Sequence, residues 1–343
     1  MLDNETYMFR CLQLAKQGLG NVAPNPMVGA VIVANGRIIG EGFHRRCGEA
    51  HAEVNAINSV KETHLLPHST LYVNLEPCSH YGKTPPCAKL IIEKKIPHVV
   101  VGSLDPFPEV AGRGIKMLRE AGVSVEVGIL QKECDELNKR FFTFHRKKRP
   151  FVLLKFAQSA DGFCAKNGEE TLLSTPQTQL LVHKLRTEES AILVGKNTAL
   201  IDNPKLNARY WNEQKNPIRM VVDKNLEIPK SNYLFDQSQP TIVFTQKKQP
   251  SSTNLEFVEL NFSENIVPQI CDFLYQRNIQ SLIVEGGPTL QQSFIDAKIV
   301  DEVRIEISPK ILENGIKIPA IQISIIKEEV IDGNKIITAK PIF

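Results

Sequence analysis

Short apolar segments typical of β-strands alternate with helix-like segments along residues 1–145. The stretch MVGAVIVANGRIIGEGF places Asn35-Gly36 between two apolar runs, and this dipeptide is the strongest short signal for a β-hairpin. Helices are predicted for AHAEVNAINSV, CAKLIIEKK and EVAGRGIKMLREAG, and strands for STLYVNLE, HVVVGSL and VSVEVGI. Because strands that alternate with helices favour parallel connections, this half predicts an α/β domain with a mostly parallel sheet and helices on both faces.

The same alternation restarts at residue 151. Strands are predicted for FVLLKFA, AILVG, IRMVVD, TIVFT, SLIVEGG and VRIEIS, and helices for PQTQLLVHKLR, IVPQICDFLYQR and PTLQQSFIDA. The basic stretch HRKKRP at 145–150 is either a nucleic-acid patch or a solvated linker, and the immediate restart of the pattern favours the linker. Since 343 residues exceed one ordinary domain, we predict two α/β domains, 1–145 and 146–343.

Composition excludes several classes of protein. The chain has 41 Lys and Arg against 38 Asp and Glu, so a net charge of +3 gives no strong field toward nucleic acid or acidic membranes. Its longest apolar runs are shorter than the roughly 18 residues that span a bilayer, and the acidic start is unlike a signal peptide. Seven cysteines, an odd number in a long chain, indicate a reducing compartment. We therefore expect a soluble, cytoplasmic protein with neither a nucleic-acid nor a membrane partner.

The sharpest chemical signal is the set His51-Ala52-Glu53, Pro77-Cys78 and Cys87. One imidazole and two thiolates are good ligands for tetrahedral Zn²⁺, and three protein ligands leave a fourth position for water. Such a metal lowers the pKa of bound water from about 15.7 to about 7. Glu53, close to the ligand His51, would then carry the water proton to a leaving amine. The order H-x-E and then P-C matches the zinc deaminase signature.

Each of these residues also has an ordinary structural interpretation. Taken singly, His51 reads as a helix histidine, and Cys78 and Cys87 read as small buried hydrophobic residues. The combination favours the metal. Eight residues separate the two cysteines, however, where nucleoside deaminases usually have two. His80, within this insert, is either a competing ligand or a solvated loop histidine.

Three segments, APNPMVGAVIV, HAE and EPCSHYGKTPPC, resemble the deaminase half of the bifunctional riboflavin-biosynthesis deaminase/reductase family, in which the long insert between the cysteines is characteristic. The resemblance implies a cytidine-deaminase-like three-layer α/β/α fold. It also implies zinc bound by His51, Cys78 and Cys87, with Glu53 as proton donor and acceptor. Asn25 resembles a substrate-pocket position of related deaminases, although an Asn before Pro is also an ordinary turn residue.

The second half carries SLIVEGGPTLQQSF, which reads as strand, glycine turn and helix. Glycines let the backbone approach a ligand closely and a helix N-terminus favours phosphate, although a plain tight turn explains the same pattern. Together with LLKFAQSADGF, LVHKLR, ILVGKNTALIDNPKLNAR and IRMVVD, this segment resembles the reductase half of the same family. The resemblance implies a dihydrofolate-reductase-like α/β domain that uses NADPH.

Reduction of a ribosylamine needs a hydride donor and a clamp for the 5′-phosphate, and the guanidinium groups of Arg186 and Arg209 match phosphate oxygens. The resemblance assigns to the substrate Arg186, Leu206, Arg209 and Glu285. It assigns to the cofactor Ala157, Thr198, Asp202, Gly287, Pro288, Thr289, Leu290, Gln291, Gln292 and Ser293. Lys155 is either a catalytic residue near the reacting sugar or a strand-end lysine that faces solvent.

Three positions depart from the family pattern. Where the family has a Ser and a Trp, the segment GEETLLST has Glu170 for the substrate and Leu172 for the cofactor. A carboxylate repels a phosphate, so Glu170 either points away or contacts a sugar hydroxyl. Leu172 keeps an apolar surface without the flat ring. Lys224 replaces a small polar residue near the cofactor, where it could meet the 2′-phosphate of NADPH.

The expected activity is therefore two consecutive steps of riboflavin biosynthesis. Zinc-dependent hydrolysis would deaminate 2,5-diamino-6-ribosylamino-4(3H)-pyrimidinone 5′-phosphate, and NADPH would then reduce the ribosyl to a ribityl side chain. One alternative keeps only the deaminase active. A nucleic-acid deaminase is disfavoured by the near-neutral charge and the 7% aromatic content, and a purely structural zinc site by the carboxylate of Glu53. Because such families often form dimers or tetramers, we expect a homo-oligomer.

Overall fold

The computed structural model describes residues 3–79, 85–107, 111–211 and 215–343. Contacts divide the chain into two compact units, Met1–Lys148 and Arg149–Phe343. The helices of the first unit are α1 (Asn4–Ala15), α2 (Ala52–Ser59), α3 (Cys87–Glu93), α4 (Arg113–Glu120), α5 (Gln131–Leu137) and α6 (Lys139–Lys147), with 3₁₀ turns at Lys16–Gly18 and Thr63–His68. Its strands are β1 (Gly29–Ala34), β2 (Arg37–Phe43), β3 (Thr70–Leu75), β4 (His98–Ser103) and β5 (Ser124–Val127).

The first sheet has the strand order β2-β1-β3-β4-β5. The predicted hairpin is confirmed, because Asn35 and Gly36 both have positive φ, 51° and 74°, as a two-residue turn between β1 and β2 requires. A mostly parallel sheet is wrong for this unit. β3, β4 and β5 are parallel, but β1 is antiparallel to both of its neighbours.

Alternate residues of β1 supply the two faces of this sheet. Ala30 and Ile32 pack with apolar side chains of α2, α3 and α4. Val31 and Val33 pack on the other face with α1 and with Cys134 of α5. Since a strand turns successive side chains to opposite faces, two apolar layers form, and the predicted three-layer α/β/α arrangement is confirmed.

The basic stretch at the end of the first unit is helical. His145, Arg146 and Lys147 form the last turn of α6, where cations interact favourably with the helix dipole. The helix ends at Lys148, which has a φ of 55°. A linker is therefore the wrong interpretation of residues 145–147, and the predicted boundary between residues 145 and 146 lies within α6.

The second unit contains the helices α7 (Pro176–Glu188), α8 (Lys196–Asp202), α9 (Ile266–Gln276) and α10 (Pro288–Asp296), with a 3₁₀ turn at Tyr233–Phe235. Its strands are β6 (Phe151–Gln158), β7 (Phe163–Ala165), β8 (Ala191–Gly195), β9 (Ile218–Val222), β10 (Thr241–Thr245), β11 (Leu255–Glu259), β12 (Ser281–Gly286), β13 (Glu302–Ile307), β14 (Ile316–Lys317), β15 (Ile323–Ile331) and β16 (Asn334–Pro341). The six predicted strands and three predicted helices of this half are present.

The large sheet has the order β11-β10-β9-β8-β12-β6-β13-β16-β15, and β7 pairs separately with β14. The strands from β11 to β13 in this order are all parallel, whereas β16 and β15 add an antiparallel edge hairpin. Both faces of the sheet are covered by helices. Val152 and Leu154 of β6 belong to a core that includes α9 and α10, whereas Phe151 and Leu153 face α7 and α8. This alternation directs Lys155 toward the face that carries α7.

The predicted fold class of two α/β domains is thus confirmed. None of the described helices combines the length and the apolar character that crossing a bilayer requires.

Candidate active sites

The first candidate site lies where two helices of the first unit begin. His51 is the residue before α2, and Cys87 is the first residue of α3, directly after Pro85-Pro86. Cys78 follows β3, and its sulfur accepts a hydrogen bond from the backbone N–H of Cys87 at 3.3 Å. The start of α3 thus places a partially positive N–H group beside the Cys78 sulfur, which favours its thiolate form.

The three side chains converge on one point. The Nδ1 atom of His51 lies 3.6 Å from the Sγ of Cys78 and 3.4 Å from the Sγ of Cys87. All three ligand atoms lie within 4.8 Å of one another. With Zn–N near 2.0 Å and Zn–S near 2.3 Å, a tetrahedral ion separates its nitrogen and sulfur ligands by about 3.5 Å. The donor set and its spacing therefore fit zinc.

The protonation of these groups also suits a cation. A hydrogen bond from Cys87 lowers the pKa of Cys78 to about 4, and the pKa of Cys87 is raised well above its usual value by the shared proton. A hydrogen bond with Cys78 raises the pKa of His51 to about 8. Because a metal binds the thiolate and the neutral imidazole, zinc binding here releases protons.

Glu53 lies in the first turn of α2 and is only 3% exposed. Burial, and then the charge on Cys78, raise the pKa of its carboxyl to about 7, and its side chain hydrogen-bonds Cys87. A carboxyl that titrates near neutrality both takes up and releases a proton readily. The structure thus brings Glu53 together with the three predicted ligands.

Asn25 is connected to this cluster through His44, which the sequence did not single out. The Nδ2 of Asn25 lies 3.1 Å from the Nε2 of His44, whose ring stacks edge-on with His51 at 5.4 Å between centroids. The Nδ1 of His44 contacts the Ala50 carbonyl at 3.1 Å. Burial lowers the pKa of His44, so the ring is neutral and accepts from Asn25. A histidine shortly after β2 carries no motif, so no sequence signal marked it.

Glu76 is a second residue that the sequence did not single out. Its buried carboxylate accepts backbone N–H groups of Gly112 at 2.9 Å and Gly114 at 3.0 Å, with longer contacts to Asp105 and Ile115. It precedes Pro77-Cys78 and so anchors that turn to the start of α4. Its place in the segment EPC was the available signal. His80, which the sequence analysis considered as a competing zinc ligand, lies outside the described residues.

The second candidate site is a cavity of about 620 Å³ in the second unit, at the carboxyl ends of β6, β8 and β12. Of the predicted residues, its lining includes Lys155, Ala157, Leu172, Thr198, Asp202, Glu285, Gly287, Pro288, Thr289, Leu290, Gln291 and Ser293. Ligands of open α/β sheets bind at this edge.

Backbone approaches its neighbours closely beside the cavity. A Cβ on Gly286 would lie 2.7 Å from the Cγ2 of Thr198, and Gly287 has a φ of 81°. Gly287 precedes α10, whose first turn therefore opens onto the cavity. A helix start behind a glycine turn fits a phosphate-bearing cofactor such as NADPH.

Three charged side chains meet at the edge of this cavity. The Arg186 Nη2 donates to a Glu285 oxygen at 2.7 Å, and the Lys155 Nζ lies 3.6 Å from the other oxygen. Although burial opposes ionisation, Arg186 and Lys155 hold the pKa of Glu285 below its usual value. Lys155 is 9% exposed, so the interpretation of a solvent-facing lysine is wrong.

Three other predicted site residues of this half, Glu170, Arg209 and Lys224, are not among the residues that line the cavity. Glu170 is exposed; partial burial of Asp202, and then the charge of Glu170, raise the pKa of Asp202 to about 6. Arg209 is exposed and stacks over the Tyr210 ring at 4.6 Å. Lys224 lies 5.7 Å above the Phe262 ring.

Leu206 and Gln292 also lie outside this lining. Leu206 is buried, with a φ of 48°. Gln292 hydrogen-bonds Asp296 and the backbone N–H of Ala320. Gln291 does reach the cavity, but its amide donates to the carbonyls of Lys155 and Val284 and so joins β6 to β12.

Comparisons with known proteins cover both units. Residues 1–103 match the cytidine and deoxycytidylate deaminase zinc-binding region, and residues 150–319 match the RibD C-terminal domain. The riboflavin biosynthesis protein RibD of Aquifex aeolicus (strain VF5) is 39% identical over 330 residues, which are 95% of this chain and 92% of that protein. The protein of the same name from Escherichia coli (strain K12) is 37% identical over 91% of this chain and 89% of its own length.

The chain belongs to the riboflavin-biosynthesis deaminase/reductase family.

Solved structures of the family support this assignment along the whole length. The diaminohydroxyphosphoribosylaminopyrimidine deaminase/5-amino-6-(5-phosphoribosylamino)uracil reductase of Thermotoga maritima is 38% identical, has a TM-score of 0.91, and matches over 99% of both chains. Acinetobacter baumannii RibD is 28% identical with a TM-score of 0.89, again over 99% of both chains.

Membership of the deaminase/reductase family confirms the predicted function class. The chain is an enzyme of riboflavin biosynthesis with a zinc-binding deaminase domain and an NADPH-using reductase domain, and it acts on small molecules. The match over residues 150–319 favours an active reductase over the deaminase-only alternative. The hypotheses of a nucleic-acid deaminase and of a purely structural zinc protein are wrong.

Proposed function

We propose that the first domain deaminates 2,5-diamino-6-ribosylamino-4(3H)-pyrimidinone 5′-phosphate by hydrolysis. The single observation that carries this proposal is the convergence of His51, Cys78 and Cys87 beside the buried carboxyl of Glu53. A zinc ion held by these three ligands supplies the Lewis acidity that hydrolysis requires. The Thermotoga relative, which matches along its whole length, is named as a deaminase of a pyrimidine of this kind.

The residues around the ligands divide the remaining tasks. Glu53 takes the proton of the attacking water and passes it to the departing ammonia, a task for which a pKa of about 7 is suited. Asn25 binds the pyrimidine through its amide, which His44 orients from behind. The amide hydrogen bond to His44 leaves the Asn25 oxygen as an acceptor for a substrate N–H.

A charge-neutral variant tests the role of Glu53. Glu53→Gln keeps the zinc ligands, so zinc content measured by mass spectrometry should stay at the wild-type level while deamination falls by at least about 10²-fold. Glu49→Gln, at an exposed carboxylate near the same motif, is the matched control and should keep full activity. Full deamination by Glu53→Gln would remove this carboxyl from the mechanism.

We propose that the second domain reduces the deaminated product, with NADPH bound in the cavity at the carboxyl ends of β6, β8 and β12. The glycine turn and the first turn of α10 bind the cofactor phosphates, through Gly287 to Ser293. The remaining cofactor contacts come from Ala157, Leu172, Thr198 and Asp202. Their position in the cavity lining supports this assignment. Gln292 and Lys224, which lie outside the cavity lining, contact the cofactor at the outer edge of the cavity.

The proposed substrate site of this domain centres on the carboxylate of Glu285, which contacts Arg186 and Lys155. The guanidinium of Arg186, which Glu285 and the Asn207 carbonyl hold in place, forms one side of the 5′-phosphate clamp, because a guanidinium fork matches phosphate oxygens. Arg209, on the neighbouring loop, completes the clamp, and Leu206 and Glu170 flank the sugar. With the sugar ring open and C1′ joined to the nitrogen as an imine, the Lys155 Nζ beside Glu285 would donate a proton to that nitrogen while NADPH would supply hydride to C1′, so that the C=N double bond becomes a C–N single bond.

Each domain serves as the internal control for the other. Lys155→Met should lower reduction by about 10²-fold or more while deamination stays unchanged. The two reactions are followed separately, by ammonia release and by NADPH absorbance. Unchanged reduction by Lys155→Met would exclude Lys155 from the chemistry.

We further propose that the enzyme acts in the cytoplasm as a homo-oligomer. None of the seven cysteines is in a disulfide, and two of them are the proposed zinc ligands, which suits a reducing compartment. The edge strand β15 exposes Ile325, Ile326 and Val330, and an apolar exposed edge favours pairing with a second chain. Sedimentation equilibrium measures the mass, and the mass of a single chain at assay concentrations would contradict the oligomer.

A further inference from the structure

His183 is a buried histidine of α7 that lies one helical turn before Arg186. It is 4% exposed, and its Nδ1 accepts the backbone N–H of Tyr210 at 3.4 Å. Arg186 itself donates through Nη1 to the carbonyl of Asn207 at 3.1 Å. Two side chains on one face of α7 therefore hold the backbone of the loop that carries Arg209.

Aromatic contacts extend from His183 to Arg209. The imidazole of His183 and the ring of Tyr210 have centroids 4.6 Å apart. The guanidinium of Arg209 lies over the same Tyr210 ring, also at 4.6 Å. Tyr210 is half exposed, so it is ordered chiefly by the two groups against it. Stacking on the Tyr210 ring restricts the long side chain of Arg209 before the substrate binds, so that less rotamer freedom is lost on binding.

The histidine must be neutral for this arrangement, because a doubly protonated ring has no acceptor. Burial, together with the charges of Arg186 and Arg209, lowers the pKa of His183 to about 4, although Glu285 and a backbone hydrogen bond to Ala208 act in the opposite direction. At physiological pH the ring therefore carries a lone pair toward Tyr210. A neutral histidine also adds no charge that would compete with the arginines for an anion.

We propose that His183 is a positioning residue for the substrate 5′-phosphate. It fixes the backbone and ring of Tyr210 so that Arg209 is held ready to bind the phosphate together with Arg186. This inference rests on the proposed phosphate clamp. It predicts that the loss of His183 weakens binding of phosphorylated substrate without affecting binding of NADPH.

The test compares reduction of the deaminated substrate with reduction of its enzymatically dephosphorylated form, in the full-length enzyme. His183→Leu removes the acceptor but keeps an apolar side chain in the buried position, and His183→Asn places an amide oxygen near the site of Nδ1. Tyr210→Leu removes the ring at a half-exposed position, where a failure to fold is not expected. Lys184→Ala is the matched control, since Lys184 lies over Trp211 of the same loop.

The expected result is a rise of about tenfold in KM for the phosphorylated substrate in His183→Leu and Tyr210→Leu. KM for the dephosphorylated substrate and for NADPH should stay within about twofold of wild type, as should every constant of His183→Asn and Lys184→Ala. In an Arg209→Ala background, His183→Leu should add little, because the two act through one contact.

Several results would overturn the inference. An unchanged KM for the phosphorylated substrate in both His183→Leu and Tyr210→Leu would do so, and so would an equal rise for the dephosphorylated substrate. If Arg209→Ala alone leaves the preference for the phosphorylated substrate unchanged, the proposed clamp fails as well. If Arg209→Ala abolishes that preference but His183→Leu and Tyr210→Leu do not, the clamp stands and only the role of His183 is wrong.

Discussion

A Cβ atom placed on Gly114 would lie 2.0 Å from the carbonyl oxygen of Pro77. No side chain fits at that distance, so the first turn of α4 packs its backbone directly on the turn that presents Cys78. The carboxylate of Glu76 stabilises this backbone contact, because it accepts a hydrogen bond from the N–H of Gly114 at 3.0 Å. The position of one zinc ligand therefore depends on a glycine far along the chain.

We predict that Gly114→Ala weakens zinc binding. The methyl group must push Pro77 away, which displaces Cys78 from His51 and Cys87, and changes around a metal ligand typically cost about ten- to a hundredfold in affinity. Competition with a chromogenic chelator measures the affinity. Gly122→Ala, just beyond the other end of α4, is the control, because a Cβ on Gly122 would meet no neighbouring atom within 4 Å. Equal zinc affinities for the two variants would show that the Pro77 contact does not position the ligand.

The shared carboxylate of Glu285 leads to a stability prediction. In Glu285→Gln, Arg186 and Lys155 lose the negative charge between them while staying about nine-tenths buried. Breaking a buried ion pair on one side costs on the order of 3 kcal/mol in the free energy of unfolding. Glu256→Gln removes one partner of the exposed pair with Arg277 and should cost less than about 1 kcal/mol. Urea unfolding, followed through a signal of the second domain, measures the loss of unfolding free energy in each variant. Equal losses would contradict the prediction.

The same variant predicts a pH dependence. The pKa of Glu285 is held below its usual value of 4.5, so its contribution is fully present above that pH. It is lost as the pH falls through the depressed folded-state pKa, where the carboxyl protonates in wild type. The difference in unfolding free energy between wild type and Glu285→Gln should therefore shrink in acid. A difference that stays constant or grows would show that the carboxylate is not stabilised by its two cations.

Leu172 offers a gain-of-contact test of the cofactor site. It lines the cavity and is 59% exposed, so it buries little apolar surface before the cofactor binds. Leu172→Trp adds a flat ring there and should lower KM for NADPH about three- to tenfold, as an aromatic contact contributes. Leu180→Trp, at an exposed leucine of α7 away from the cavity lining, should leave KM unchanged. An unchanged KM in Leu172→Trp as well would place the cofactor elsewhere.

The parts of the molecule that were predictable from sequence are those with a local signal. The dipeptide Asn35-Gly36 specifies its hairpin because few residues adopt positive φ. The zinc ligands were identifiable because His51, Cys78 and Cys87 combine residue type with order along the chain. The alternation of apolar segments likewise located most strands and helices.

The remaining features depend on contacts between distant residues, which a single sequence does not display. β15 and β16 are polar in part and form an edge hairpin, so no continuous apolar run marked them. Glu285 was expected to bind substrate, yet its bridge between Lys155 and Arg186 depends on the pairing of β12 with β6. His44 and Glu76 act through backbone and side-chain partners that are brought near only by folding.

The most direct test of a two-reaction enzyme supplies the purified, zinc-loaded protein with the diaminopyrimidine ribosyl phosphate and NADPH and follows the products by mass spectrometry. We predict a product that is both deaminated and reduced, 5-amino-6-ribitylamino-uracil 5′-phosphate, with NADPH consumed in equal amount. Accumulation of the deaminated but unreduced compound would contradict the reductase assignment and show that Glu170 and Leu172 are not tolerated.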